Sequence, residues 1–174
     1  GLDENAVVEL RDGRLALVCR GDNSMFPERP GYKWLALSED DGESWSATVP
    51  LPCDRGAPIE SSASGSALFR HGRNGRLYWI GNLCAPGVRP KGNYPRTPLV
   101  IAEVQEEPFA LKRDTITVVD ERAPHEPEMV QMSNFRYYED RLTGDVVVFV
   151  TRYAERSEQD WKRADYYRYR VAID

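Results

Sequence analysis

Apolar and polar positions alternate in short runs along the whole chain, and turn residues punctuate them. Alternation with a period of two marks strands whose two faces meet different surroundings. AVVELRDGRLALVCR, residues 6–20, is two such runs about Asp12 and Gly13, a pair suited to a tight hairpin turn. YKWLALS, 32–38, is a third run, and SATVPL, 46–51, a fourth. The order then recurs. SALFRHGRNGRLYWIGN, 66–82, predicts a hairpin about Asn74 and Gly75, TPLVIAEV, 97–104, its third strand and TITVVD, 115–120, its fourth. SNFRYYEDRLTGDVVVFVTRY, 133–153, predicts another hairpin about Thr143 and Gly144, and DYYRYRVAI, 165–173, its third strand. The period of 3.6 that marks an amphipathic helix is nearly absent.

The turn glycines Gly13, Gly75 and Gly144 are 62 and 69 residues apart. Each unit reads as an up-and-down antiparallel sheet of about four strands, and repetition of such sheets predicts an all-β chain of β-propeller blades. The blades are expected at about residues 4–51, 64–120 and 131–174. Their extra length falls in loops rich in proline and glycine at 25–31, 52–66 and 84–98. Long loops at matching places build a binding face. The third unit lacks a fourth strand, which leaves an unpaired edge, and three blades cannot close a ring. The expected partners are therefore the missing blades of a six-bladed propeller. They come either from the rest of a longer chain, of which these 174 residues are the C-terminal half, or from a second copy.

Composition narrows the function classes. Net charge is −5 with no basic run, which argues against nucleic acid as partner. No apolar stretch approaches the roughly 20 residues of a membrane helix, and no signal peptide is visible. The three cysteines, Cys19, Cys53 and Cys84, match no zinc spacing. Cys19 reads as a small core residue, and a disulfide between Cys53 and Cys84 is open. There is no Ser-His-Asp set and no phosphate-cradling glycine loop. His71 lies near a turn and His125 in a proline-rich loop.

SEDDGESWS, 38–46, carries four carboxylates and ends on a tryptophan and a serine. Ser38 and Asp40 are spaced to bond backbone N–H groups inside a turn. Gly42 permits positive φ, and Trp45 is expected to pack between the third and fourth strands. A calcium loop would need further oxygen ligands and a late Glu, so the stretch is read as structural and no metal or cofactor is expected. Ser38, Asp40, Gly42 and Trp45 fit S-x-D-x-G-x-[ST]-W, which resembles the Asp box of sialidases and related BNR-repeat propellers. VQEEPF, 104–109, is a degenerate equivalent in the second unit.

The resemblance continues on the opposite rim. Sialidases hold a sugar carboxylate with three arginines from different blades, and a planar guanidinium suits a carboxylate because it donates two parallel bonds. ENAVVELRDGRLALVCR is similar to the family hairpin that opens on a glutamate and ends on one of these arginines, which puts Glu4 and Arg20 in those roles. Arg96, in YPRTPLVI, stands where another family arginine precedes a third strand. Asp22 and Asn82 are rim residues placed to bond ligand hydroxyls. The family's nucleophilic tyrosine has no counterpart: Met132 precedes Ser133 at that place, Tyr137 and Tyr138 read as packing residues, and Tyr94 lies on another blade. Without it, a carboxylate pair drawn from Glu4, Asp22 and the missing blades is the chemical alternative. The resemblance thus implies a glycoside hydrolase acting on an anionic or acylated sugar, in an extracellular or periplasmic setting. The alternative is a non-catalytic propeller that binds a glycan or a protein.

Overall fold

The structure, a computed structural model, describes residues 2–160 and 163–173. They form three antiparallel sheets stacked face to face. The first runs in chain order through β1 (Leu2–Glu9), β2 (Leu15–Gly21), β3 (Lys33–Ser38) and β4 (Val49–Pro50). The second comprises β5 (Ala67–Arg70), β6 (Leu77–Asn82), β7 (Leu99–Glu106), β8 (Phe109–Leu111) and β9 (Thr117–Asp120). The third holds β10 (Gln131–Glu139), β11 (Val146–Tyr153) and β12 (Tyr166–Val171). The strands expected from alternation are present. One element is additional: the fourth strand of the second sheet is split. VQEEPF turns straight back at Glu107 and Pro108 into β8, a short 3-10 turn at Arg113–Thr115 follows, and β9 then pairs further down the same edge of β7.

The second sheet lies between the other two, and this explains its composition. Leu77 and Trp79 of β6 and Val100, Ala102 and Val104 of β7 face the first sheet's Ala16, Val18 and Leu35. Tyr78, Ile80, Leu99 and Ile101 face Val130, just ahead of β10, and the third sheet's Met132, Val146, Val148 and Val150. A strand covered on both faces reads as a continuous apolar run, as LYWI and LVIA do. The flanking sheets turn their other faces outward. Across that of the third sheet, Tyr138, Phe149 and Tyr166 form a stacked ladder, with centroids 6.1 and 5.7 Å apart. The three cysteines are free thiols, so the open disulfide does not form.

The turns at Gly13, Gly75 and Gly144, all at positive φ, share one rim and bolt neighbouring sheets together. Glu106 receives both guanidinium nitrogens of Arg70, at 2.8 and 2.9 Å, and the backbone N–H of Arg11. Arg11 Nη2 donates to Gly75 O at 2.7 Å. In the next pair, buried His71 places Nε2 2.6 Å from Gly144 O, and Arg73 donates to the carbonyls of Leu142 and Thr143.

The acid-rich turn after β3 sits on this same rim, because Ser38 pairs with Leu15. Ser38 Oγ is buried; it accepts from Gly42 N at 2.9 Å and donates to Asp40 Oδ1 at 2.8 Å. Asp40 also accepts from the N–H and Oγ of Ser44. These bonds hold its carboxyl below the usual range, the Ser44 hydroxyl most of all. Asp41 and Gly42, at φ 56° and 90°, make the reversal. Trp45 corrects the expectation: it remains 37% exposed and lies against the turn, its Cζ2 3.7 Å from where a Cβ on Gly42 would stand. Ser38→Ala removes a buried acceptor and leaves Gly42 N–H unpaired. We expect it to cost about 1–2 kcal/mol, measured as a shift of the urea midpoint.

Candidate functional site

The opposite rim collects the ends of β2 and β6 and the starts of β3, β7 and β10. Arg20, near the end of β2, pairs in register with Asp3 on one side and Lys33 on the other. Between Asp3 and Ala6 the β1 register breaks in a bulge, and Glu4 within it has φ 46°. A bulge re-aims a side chain, and here it brings Glu4 Oε2 to 2.9 Å from Arg20 Nη1. Arg20 Nε is buried without a hydrogen bond, 3.6 Å from Asp3 Oδ1.

Arg96 reaches the same place from the 84–98 loop. Its Nε and Nη2 both donate to Ala63 O, at 3.1 and 2.7 Å. Its Nη1 donates to Gln131 Oε1 at 3.3 Å and Ser133 Oγ at 3.2 Å. The two arginines meet at Asn93, whose Oδ1 accepts from Arg96 Nη2 at 2.8 Å and from Arg20 Nη2 at 3.4 Å. Among the described residues, Arg96 has no carboxylate in ion-pair range.

Beneath them lies Lys33, which alternation puts on the inward face with Leu35 and Leu37. It is 1% exposed. Its Nζ donates to Ser62 O at 3.0 Å, to Ser64 Oγ at 3.0 Å and to Ser64 O. Burial, and then the charges of Arg96 and Arg20, pull its amine down to about 7. Arg96 is also lowered, by burial first and by Arg20 second, with Glu4 opposing. The site therefore holds two guanidiniums and a lysine, with the carboxylates of Glu4 and Asp3 both on the Arg20 side.

Asp22 and Asn82, the other two residues expected to face a ligand, take different places. Asp22 is exposed and closes its own turn, accepting from Ser24 N at 2.8 Å and Ser24 Oγ at 2.5 Å. Asn82 does not present itself to solvent: it is 1% exposed and donates to Pro98 O at 3.1 Å and Met132 O at 3.0 Å, tying β6 to β10. Met132 is wholly buried in the core between the second and third sheets. Its neighbour Gln131 turns the other way, donating to Tyr94 Oη at 3.2 Å. Beside Arg96 a cavity of about 630 Å³ opens, lined among others by Asn93, Tyr94, Gln131, Asn134 and Glu158. Arg152, on the third sheet's part of this rim, is enclosed by Asp120, Glu126 and Glu155 and leaves no donor set free for a ligand anion.

No family model matches the chain. Over 58 residues, 33% of its length, it is 43% identical to a sialidase of Micromonospora viridifaciens and spans 8% of that protein. Among solved structures, the intramolecular trans-sialidase from Ruminococcus gnavus in complex with oseltamivir carboxylate aligns with TM-score 0.60 and 21% identity, covering 98% of this chain and 32% of that one. A point mutant of the NanB sialidase from Streptococcus pneumoniae aligns with TM-score 0.59 and 17% identity, covering 98% and 23%. The chain spans less than a tenth of the curated relative and at most about a third of these solved chains.

Proposed function

We propose, from the sialidase-like β-propeller fold of this chain, that its loop-rich rim binds the carboxylate of an anionic sugar as part of a sialidase-like glycoside hydrolase. One observation carries this reading: two guanidiniums from different blades, Arg20 and Arg96, converge on a single oxygen at the rim. A carboxylate in that place would offer each guanidinium an ionised acceptor, and such bonds are roughly twice as strong as neutral ones. Glu4 braces Arg20 and serves as the nearest candidate base. Asp22 contributes at the edge through the loop it stiffens, while Asn82 sets the depth of the site by joining two blades. The further blades that complete the ring come from additional chain or a second copy, packing on the outward faces of the first and third sheets.

A specific observation favours a second reading, that of a non-catalytic glycan binder. The place of the family's tyrosine is taken by Met132, a core side chain that offers no nucleophile. Titration of the intact protein with N-acetylneuraminic acid, followed calorimetrically, tests the shared claim. Arg20→Ala should weaken binding about 10- to 100-fold, the equivalent of about 1.5–3 kcal/mol for a hydrogen bond to a charged group. Unchanged affinity would sink the carboxylate site. Release of sugar from sialyllactose separates the readings: turnover supports the hydrolase, and saturable binding without turnover supports the binder.

A further inference from the structure

Asn93 occupies the point where the proposed ligand carboxylate would sit. It stands at the tip of a tight reversal closed by Lys91 N to Tyr94 O at 2.7 Å and Tyr94 N to Lys91 O at 3.1 Å. Gly92, at φ 52°, gives that tip its shape, and its N–H donates to Asn23 Oδ1 at 2.8 Å. The loop is thus held by its backbone, while the Asn93 side chain is exposed. Among the described residues its amide oxygen is the one side-chain atom that accepts from both Arg20 and Arg96. An amide nitrogen turned the other way would point a donor at two donors, so the oxygen is what faces them. That oxygen carries a dipole and no formal charge. It leaves Arg20 Nε without a hydrogen bond, and Arg96 without a carboxylate partner among the described residues.

We infer that Asn93 is a placeholder for a carboxylate oxygen, an internal competitor that sets how tightly the site takes an acid, a role that rests on the carboxylate-site reading above. A neutral sugar carbonyl would merely exchange one amide-like acceptor for another and gain nothing by displacing it. A carboxylate brings a formal charge and two oxygens, enough for both guanidiniums at once, and so displaces Asn93. Displacing Asn93 costs every such ligand the same free energy, which a carboxylate regains through its charge and a neutral sugar does not. Specificity is a difference of affinities in which that common cost cancels, so Asn93 sets the strength of binding and the carboxylate's charge sets the preference for an acid.

The test uses the intact protein and two substitutions at this exposed position. Asn93→Ala removes the competitor: binding of N-acetylneuraminic acid should tighten about three- to tenfold, and a neutral control, N-acetylmannosamine, should gain by no more than the same factor. Asn93→Asp supplies a tethered carboxylate: acid binding should fall more than tenfold while the melting temperature stays at or above that of the wild type. Arg20-dependent binding that weakens or stays unchanged in Asn93→Ala overturns the placeholder, making Asn93 a ligand contact or a bystander. So does wild-type affinity in Asn93→Asp. No saturable binding by folded wild type or by Asn93→Ala overturns the carboxylate site itself and the placeholder with it.

Discussion

Arg152→Ala should destabilise the chain by about 3–5 kcal/mol, the range observed when one partner of a buried ion pair is removed. The Arg152 side chain is 8% exposed, and its partners Asp120, Glu126 and Glu155 are 11, 16 and 8% exposed. Nη1 lies 2.5 Å from Asp120 Oδ1, and Nη2 2.5 and 2.6 Å from the two Glu126 oxygens. The carboxylates come from three places: the end of β9, the 121–130 connection and the segment after β11. Alanine would leave all three facing one another with no cation between them. Burial opposes ionisation of Glu126, yet the Arg152 hydrogen bonds and the Ala123 N–H hold its carboxyl below the usual range. A carboxyl whose folded value is depressed stabilises above its unfolded value, and that stability is lost as pH falls through the folded value. The penalty should therefore be largest near pH 7 and shrink below about pH 4, where the orphaned acids protonate. Urea unfolding at pH 7 and pH 4 measures both. A loss under about 1 kcal/mol at pH 7 would show the cluster to be solvated rather than enclosed.

The contrast between Arg152 and Arg20 shows what a linear sequence conveys. Both end a second strand, and nothing local to VVVFVTRY or LALVCRG distinguishes a saturated arginine from an under-satisfied one. The difference lies in acids up to 32 residues away for Arg152 and in Asn93, 73 residues away, for Arg20. What local pattern does carry is hairpin register. The three turn glycines, the Ser38 turn and the rim that holds Arg20 and Arg96 all follow from alternation and turn chemistry. Asn82 reads as a rim residue because it ends a strand; its burial reflects a central sheet covered on both faces, a property of stacking. Lys33 had a usable signal, since alternation sets a lysine inward beside Leu35 and Leu37. A lone inward lysine at a strand start gives no hint that the carbonyls of Ser62 and Ser64 are folded over it. Asn93 offered none, because its meaning lies wholly in where the loop tip lands.

Lys33→Met should flatten the rise of stability with pH. In the folded chain the Lys33 amine is pulled from its ordinary 10.5 to about 7. Between those values the unfolded chain binds a proton that the folded chain does not, so stability increases with pH there and levels off above about 10.5. The whole interval amounts to about 5 kcal/mol at about 1.36 kcal/mol per unit, an upper bound. Between about pH 6.5 and 9 the wild type should gain about 2–3 kcal/mol more than Lys33→Met. Taking this difference removes contributions from groups that do not interact with Lys33; the Cys84 thiol, which burial pushes up to about 11, does interact with it, and the comparison therefore stops at about pH 9. Equal slopes for the two proteins would mean that Lys33 stays protonated over its three acceptors. The neutral amine is also accommodated, donating to Ser62 O and Ser64 O and accepting from Ser64 Oγ–H. The same amine links the fold to the proposed ligand. A bound carboxylate beside Arg20 and Arg96 would offset the charges that depress Lys33, so binding should draw in a proton near pH 7. Linkage then requires affinity for an acidic sugar to fall as pH rises through that value. Calorimetry in two buffers of different ionisation enthalpy reads the proton directly, and Lys33→Met should abolish its uptake.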